Sequence, residues 1–446
     1  MKVDPRIARF PLSLTLLTTL ALLLVPSLLL RRMPRPQAMG LEKLMASASL
    51  VQSFRPTPDR PLPGLWQERL GPGTASRLWR FQTRTWWQFW DGHAEGQPFL
   101  AVSARGVPEA LLRSVPTPPI RVGDLAIFSP DPQSKQILND RLKPQVRRSN
   151  GLRLRCLPRL EREQAVFWRP SGLGVLMGPL APLLQNVQEG CLSLSIEGAG
   201  LSWEGEAASV EGMVLQVPQQ GMGGTAGAPQ RGPLAKDVLL EVHGASLDPL
   251  LSGLLARELI RQPLAERYGL GPEQIQLLRQ TPFRLVLRPS EHRVFQASLE
   301  LTVAVGRQQS QWQAGLKGLT QRLVKEGLRP SPRARQGLTL WQRKDGVELG
   351  GWFWQPGMGK ANEQITLFLG PLPHRMEPWS GPDPSERDAL MLLARPRDLT
   401  ELGLLPPDLP EVVRRSTSLW ISAGPFPGYG PGAPLSQLRG SLEFQP

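Results

Sequence analysis

The chain has 446 residues, 40% of them hydrophobic, which is enough to bury ordinary cores and excludes wholesale disorder. Its formal net charge is +14, which attracts anionic partners such as phospholipid headgroups, acidic wall polymers or nucleic acid. Two cysteines are too few for a structural zinc site.

The charge is spread along the chain rather than concentrated. Arginine supplies most of it, and the best local patch lies in residues 141–155. The sequence shows no dense basic run and no module that interleaves aromatic with basic residues, which disfavours nucleic acid as a partner. A genome that places arginine wherever a surface needs a cation explains the same composition.

An uncharged apolar run, Pro11–Leu30, is the strongest single signal in the sequence. Twenty helical residues span about 30 Å, the thickness of a bilayer's hydrocarbon core. A cleaved signal peptide and a buried core helix are the alternatives. However, a signal peptide has a shorter apolar core and a small-residue cleavage site, whereas Arg31 and Arg32 follow this run directly. The sequence therefore predicts an N-terminal tail (1–10), a transmembrane helix (11–30) and a juxtamembrane segment (31–64).

The orientation of this helix is nearly balanced by the positive-inside rule, which counts basic residues on each side. Those before it are Lys2, Arg6 and Arg9, and those after it are Arg31, Arg32, Arg35 and Lys43. A short N-terminal tail before a single helix usually stays in the cytoplasm. We therefore expect a single-pass protein of the cell membrane with its body outside the cytoplasm.

The body after the anchor is predicted to be α+β, with two related halves at 65–217 and 234–446 and a Gly/Pro-rich linker at 218–233. Strand and helix patterns recur in the same order in both halves, and Trp168-Arg169-Pro170 matches Ala394-Arg395-Pro396. Each half is expected to be an antiparallel sheet with helices packed on one face. The predicted helices include 134–146, 248–268 and 311–325, and the predicted strands include 79–90, 151–156, 299–305 and 436–444.

The two cysteines, Cys156 and Cys191, both lie in apolar runs that resemble strands. They are either free and buried or, outside the cytoplasm, joined in a disulfide. Their spacing in the sequence does not decide between these alternatives.

The aromatic segment 79–90 suggests one surface-binding site. Read as a strand, it places Trp86 and Trp90 on one face together with Arg80 and Arg84. Tryptophan beside arginine can stack on a sugar ring or lie at a lipid headgroup. The alternative is a strand buried on both faces beneath helices.

An N-terminal membrane segment followed by repeated strand–helix–strand units, with a Gly-Leu-x-Leu-Trp strand at 337–341, resembles a family of single-pass membrane-anchored proteins from photosynthetic bacteria. That family is classed as a domain of unknown function. The resemblance covers most of residues 40–446. It implies no established activity and transfers no catalytic residue.

The sequence contains no recognisable catalytic or cofactor motif, and no cofactor is predicted. The four histidines (93, 243, 292 and 374) are single, whereas metal sites usually use closely spaced pairs. The Gly-rich turn at 357–361 lacks the Ser or Thr that follows the lysine of a phosphate loop. His243 is expected to be a packed strand residue.

These observations favour a membrane-anchored, non-enzymatic binding or scaffold protein. Its expected partners are membrane lipid, through the N-terminal helix, and a protein or an anionic polymer. Two alternatives remain. One is a membrane-tethered enzyme that acts on envelope polymers at a site between the halves. The other is a lipid-handling module with a continuous apolar cavity.

Overall fold

The structure, a computed structural model, describes most of the body of the chain. The described residues are 37–91, 96–105, 107–115, 117–144, 151–172, 187–209, 234–247, 251, 258–290, 294–334, 337–356, 363–373, 379, 390–407, 409–425 and 435–444. The predicted transmembrane helix (11–30) and linker (218–233) lie outside these ranges. Within them, no helix has the length and apolar character needed to cross a bilayer.

Helices and strands recur throughout the described ranges. The helices are α1 Gly40–Ser47, α2 Gly64–Leu70, α3 Pro72–Phe81, α4 Glu109–Arg113, α5 Pro132–Leu142, α6 Gly151–Arg162, α7 Glu258–Tyr268, α8 Pro272–Arg279, α9 Gln309–Lys325, α10 Pro396–Glu401 and α11 Glu411–Arg414. The strands are β1 Ala48–Phe54, β2 Trp86–Asp91, β3 Phe99–Ser103, β4 Ile120–Val122, β5 Leu125–Phe128, β6 Ala165–Trp168, β7 Val187–Glu197, β8 Gly200–Ser209, β9 Leu240–Gly244, β10 Phe283–Pro289, β11 Ala297–Ala304, β12 Arg329–Pro330, β13 Leu338–Gln342, β14 Glu348–Gln355, β15 Gln364–Leu369, β16 Leu390–Ala394, β17 Ser418–Pro425 and β18 Leu435–Glu443.

The fold is α+β, and its strands belong to one 18-stranded antiparallel sheet. The order across the sheet is β4-β5-β3-β2-β1-β6-β7-β8-β18-β17-β16-β9-β10-β11-β15-β14-β13-β12. The pair β8–β18 joins the strands from the first part of the chain to those from the second.

Around β1, β2 and β3 the sheet is covered on both faces. Helices α1, α5 and α6 pack on one face over a core that includes Val51 and Phe167. Helices α2, α3 and α4 pack on the other face over a core that includes Trp66 and Leu100. All five residues of β3 are therefore buried. The expectation of helices on one face only is wrong for these strands.

Around β10 and β11 one face is covered by α8 and α9. Leu277 of α8 and Trp312 and Leu316 of α9 pack against Phe283 and Val303 of the sheet. The predicted helix 311–325 is confirmed as α9, and the predicted strands 299–305 and 436–444 are confirmed as β11 and β18.

Two predicted strands are wrong in part. Residues 151–156 begin helix α6, because Leu152, Cys156 and Leu160 repeat every four residues and bury one helical face. The segment 79–90 is not one strand, because α3 extends to Phe81 and β2 begins at Trp86.

The cysteines form a disulfide. Cys156 of α6 is bonded to Cys191 of β7, which ties this helix to the sheet. Of the two alternatives that the sequence left open, the structure contains the bonded one.

Candidate functional site

A cluster of polar side chains lies on one face of β9, β10, β11 and β15, the face opposite α8 and α9. We call it the polar cluster. Strand register aligns its members, since Arg284 of β10 lies opposite both His243 of β9 and Thr302 of β11. Its residues are Asp237, Glu241, His243, Arg284, Arg288, Glu300, Thr302 and Thr366.

Glu241 is the centre of one half of the polar cluster. Its Oε1 accepts a hydrogen bond from Nε of Arg284 at 2.7 Å, and Nδ1 of His243 lies 4.0 Å from the same oxygen. These three side chains are half-buried: the exposed fraction of the side chain is 18% for Glu241, 32% for Arg284 and 21% for His243. Burial alone raises the pKa of Glu241, but the neighbouring imidazole of His243 and guanidinium of Arg284 outweigh it and lower the pKa to about 2. Glu241 is therefore ionised at neutral pH.

Arg288 is the centre of the other half. Its Nε donates to Oε1 of Glu300 at 3.1 Å, and its Nη1 pairs with the carboxylate of Asp237. Beside them, the hydroxyls of Thr302 and Thr366 lie 2.9 Å apart. The polar cluster thus places guanidinium donors, carboxylate acceptors and hydroxyls next to one another.

The polar cluster offers paired charges and hydrogen-bonding groups. An ionised Glu241 has no proton to donate, so it cannot act as a general acid at neutral pH. Within the described ranges, no three residues of His, Cys, Asp and Glu are placed to hold a metal ion. Paired Arg and Glu side chains offer both donors and acceptors to a polar ligand.

The residues that the sequence suggested as a surface site occupy different environments. Trp86 is only 4% exposed and packs in a cluster with Phe54, Trp66 and Trp79. It therefore has no free ring face to offer a ligand.

Its three companions are more accessible. Trp90 is half-buried, whereas Arg80 at the end of α3 and Arg84 before β2 are exposed. Of the four residues, only Trp86 is too deeply buried to belong to a binding surface.

The polar cluster was not identified from the sequence. Its signal is present in β9 and β10, where charged residues alternate with Leu240, Val242, Leu285 and Leu287. Taken strand by strand, that alternation is typical of a solvated face. Only the register between strands brings the charges together.

Comparisons with protein-family models, with curated protein sequences and with solved structures gave no match.

Proposed function

We propose that this chain is a single-pass, membrane-anchored, non-enzymatic binding protein with its body outside the cytoplasm. We further propose that the body consists of two related units, strands β1–β8 and strands β9–β18, and that the second unit carries the ligand-binding face. The polar cluster is that face. The first unit begins earlier than the half expected at 65–217, because β1 lies within the segment 31–64 and pairs with both β2 and β6.

The order of strands supports the relation between the units. In the first unit the order is β5-β3-β2-β1-β6-β7-β8, and in the second it is β15-β11-β10-β9-β16-β17-β18. In each unit the central strand comes first in the chain, and a hairpin lies on one side of it. The correspondence pairs β1 with β9, β2 with β10, β3 with β11, β5 with β15, and β6–β8 with β16–β18.

Two arginines make the same contacts in the two units. The backbone N–H of Arg169 donates to the carbonyl of Ser49 at 2.8 Å, and that of Arg395 donates to the carbonyl of Leu239 at 2.9 Å. Each guanidinium also donates to the carbonyl three residues before that acceptor, at 3.1 and 2.7 Å. These arginines belong to the Trp-Arg-Pro and Ala-Arg-Pro matches in the sequence, so the contacts support a common origin for the units.

One observation carries the proposed binding face: positions that are apolar core in the first unit are polar in the second. The first-unit residues are at most 6% exposed beneath α1, α5 and α6. The corresponding pairs are Val51 and Glu241, Trp87 and Arg284, Phe99 and Glu300, Ala101 and Thr302, and Ile127 and Thr366. A face that carries paired charges and hydroxyls where the first unit has apolar core offers hydrogen-bond donors and acceptors to a polar ligand, which supports its proposed use in recognition.

The location of the body is supported by the disulfide. Disulfides persist in oxidising compartments and are rare in the cytosol. The Cys156–Cys191 bond therefore favours a body outside the cytoplasm, in agreement with the orientation expected from the sequence. The apolar run 11–30 supports the anchor.

The partner is proposed to be a protein or an anionic polymer, and photo-crosslinking in intact membranes tests this. A photoreactive residue is placed at Val294, which is 42% exposed between β10 and β11, the strands that carry Arg288 and Glu300 of the polar cluster. The matched control is Ile196, which is 64% exposed near the end of β7. We expect a crosslinked product when the photoreactive residue is at position 294 and none when it is at position 196. The product from position 294 should be lost when the chain also carries Arg284→Gln. Identical products from both positions, or a product that persists in the variant, would contradict the proposed face.

The enzyme alternative is favoured by one observation, the closeness of the Glu241 carboxylate to the imidazole of His243. A carboxylate can orient a histidine that acts as a base. Incubation of the purified full chain with envelope polymers tests this alternative. Turnover by the wild type that disappears in His243→Asn would overturn the non-enzymatic assignment. Absence of turnover by the wild type would support the non-enzymatic assignment.

A further inference from the structure

An open hollow of about 260 Å³ lies where the start of α1 meets the turn between β4 and β5 and the end of α5. Every charged side chain that lines it is cationic, namely Lys43, Arg121 and Lys143. The amide side chains of Gln37 and Asn139 complete the polar lining. A hollow lined by cations and amides presents donors to an anion.

The walls of the hollow are held in place by a close backbone contact. Gly40 and Gly123 have φ of +56° and +60°, which side-chain-bearing residues rarely adopt. A Cβ at position 123 would lie 3.1 Å from the backbone nitrogen of Gly40. The two glycines therefore allow the β4–β5 turn to lie directly against the start of α1.

Two of the three cations also pair with acids that lie outside the lining. Arg121 pairs with Glu109, and Nζ of Lys143 lies 2.8 Å from Oδ1 of Asp140. A guanidinium has five N–H donors and an ammonium has three, so each keeps donors for an anion in the hollow.

The hollow lies close to the point where the chain leaves the proposed anchor. Six residues separate Leu30 from Gln37, so the two Cα atoms lie at most ~25 Å apart even when the chain between them is fully extended. Three of the intervening residues, Arg31, Arg32 and Arg35, are basic. Beside the hollow, Met39 is 72% exposed and presents an apolar side chain that can enter the interfacial region of a bilayer.

We infer that this hollow binds the phosphate headgroup of an anionic phospholipid and so fixes the body against the membrane surface. The inference rests on the proposed anchor. It adds that the body is docked on the lipid rather than tethered loosely above it. Basic residues are attracted to an anionic surface, so docking through these three cations depends on lipid charge and on salt.

Hydrogen–deuterium exchange of the full chain in nanodiscs tests the inference. One set of nanodiscs contains phosphatidylcholine only, a second contains added phosphatidylglycerol, and a third contains phosphatidylcholine with free inorganic phosphate in the buffer. The readout is the amide exchange rate of residues 37–47. The test variant is Lys43→Gln/Arg121→Gln/Lys143→Gln. The matched control, Lys317→Gln/Lys325→Gln/Arg329→Gln, removes three exposed cations from α9 and β12.

We expect exchange to slow at least threefold with phosphatidylglycerol, and this protection to vanish in the test variant but not in the control. In the wild type it should also weaken between 50 and 500 mM salt, a result that does not depend on how the variant folds. Equal exchange in the two lipids would overturn the inference, and so would equal protection by free phosphate. If the chain instead separates from the nanodiscs during gel filtration, the proposed anchor itself fails.

Discussion

Arg439 of β18 donates from Nε to Oε1 of Glu204 of β8 at 3.2 Å, across the strand pair that joins the two units. The two residues occupy corresponding positions. Gly205, next to Glu204, lies opposite Leu192 of β7, and Gly440, next to Arg439, lies opposite Ile421 of β17. In the proposed relation between the units, this ion pair lies on the local twofold axis that would relate them.

Glu206, two residues along β8, is predicted to matter far more for folding than Glu204. Glu206 is 4% exposed and its two oxygens accept hydrogen bonds from Nε of Arg155 at 2.8 Å and from Nη2 of Arg159 at 3.3 Å. Glu206→Gln leaves two guanidiniums beside a neutral amide and should cost about 3–5 kcal/mol. Glu204→Gln, at an exposed pair, should cost under about 1 kcal/mol. Urea unfolding of both variants measures the difference, and equal losses would contradict this assignment.

Gly205 and Gly440 are both predicted to be irreplaceable, because a Cβ at either position would collide with a neighbouring strand. A Cβ at Gly205 would lie 1.9 Å from the carbonyl oxygen of Cys191, and one at Gly440 would lie 2.6 Å from that of Trp420, the corresponding residue. Alanine at either position should therefore destabilise the joined strands by more than about 2 kcal/mol. The control is Gly318→Ala, at a helical position of α9 where an added Cβ meets nothing. This variant should raise the free energy of unfolding by about 0.5–1 kcal/mol. Thermal unfolding compares the three, and tolerated alanines at 205 and 440 would count against the close strand packing.

The contribution of Glu241 to stability is predicted to depend on pH. Its folded pKa of about 2 lies below the ordinary 4.5. The ionised form therefore stabilises the fold above pH 4.5, and that stabilisation is lost as pH falls through 2. A difference of this size corresponds to roughly 3 kcal/mol. Glu241→Gln should be less stable than the wild type at pH 7, and the gap in urea midpoint should narrow between pH 4.5 and pH 3. A gap that stays constant over this range would contradict the pairing of Glu241 with Arg284 and His243.

The disulfide is predicted to be present in the protein as the cell makes it. Because the chain has two cysteines, 35 residues apart and bonded to each other, maleimide labelling without reductant should find no free thiol. The Cys156→Ser/Cys191→Ser variant should lose about 3–4 kcal/mol, the expected value for a loop of this length. Full labelling of the freshly isolated wild type would place the body in a reducing compartment.

The elements that could be predicted from the sequence are those with a clear local period. In α9, Trp312, Leu316, Leu319 and Leu323 lie on one face. The helix ends at Lys325, and Gly327 follows with φ of +86°. In α6, by contrast, Leu and Arg alternate over the first residues in the way a strand does. The helical period of α6 becomes evident only over its full twelve residues.

The polar cluster could not be predicted because its geometry depends on register between distant strands. The Thr302 and Thr366 hydroxyls meet although 64 residues separate them in the chain. Likewise, the burial of Trp86 depends on Trp66 and Trp79, which reach it from two helices. Local patterns show which residues share a strand face but not what that face contacts.

Protease treatment of sealed membrane vesicles of known orientation tests the central claim most directly. We predict that the full chain stays in the pellet after alkaline carbonate washing, and that protease degrades the body when it is added to the extracytoplasmic side. A body that is digested only after the vesicles are opened would contradict the proposed orientation. An uncleaved chain in the supernatant would contradict the anchor.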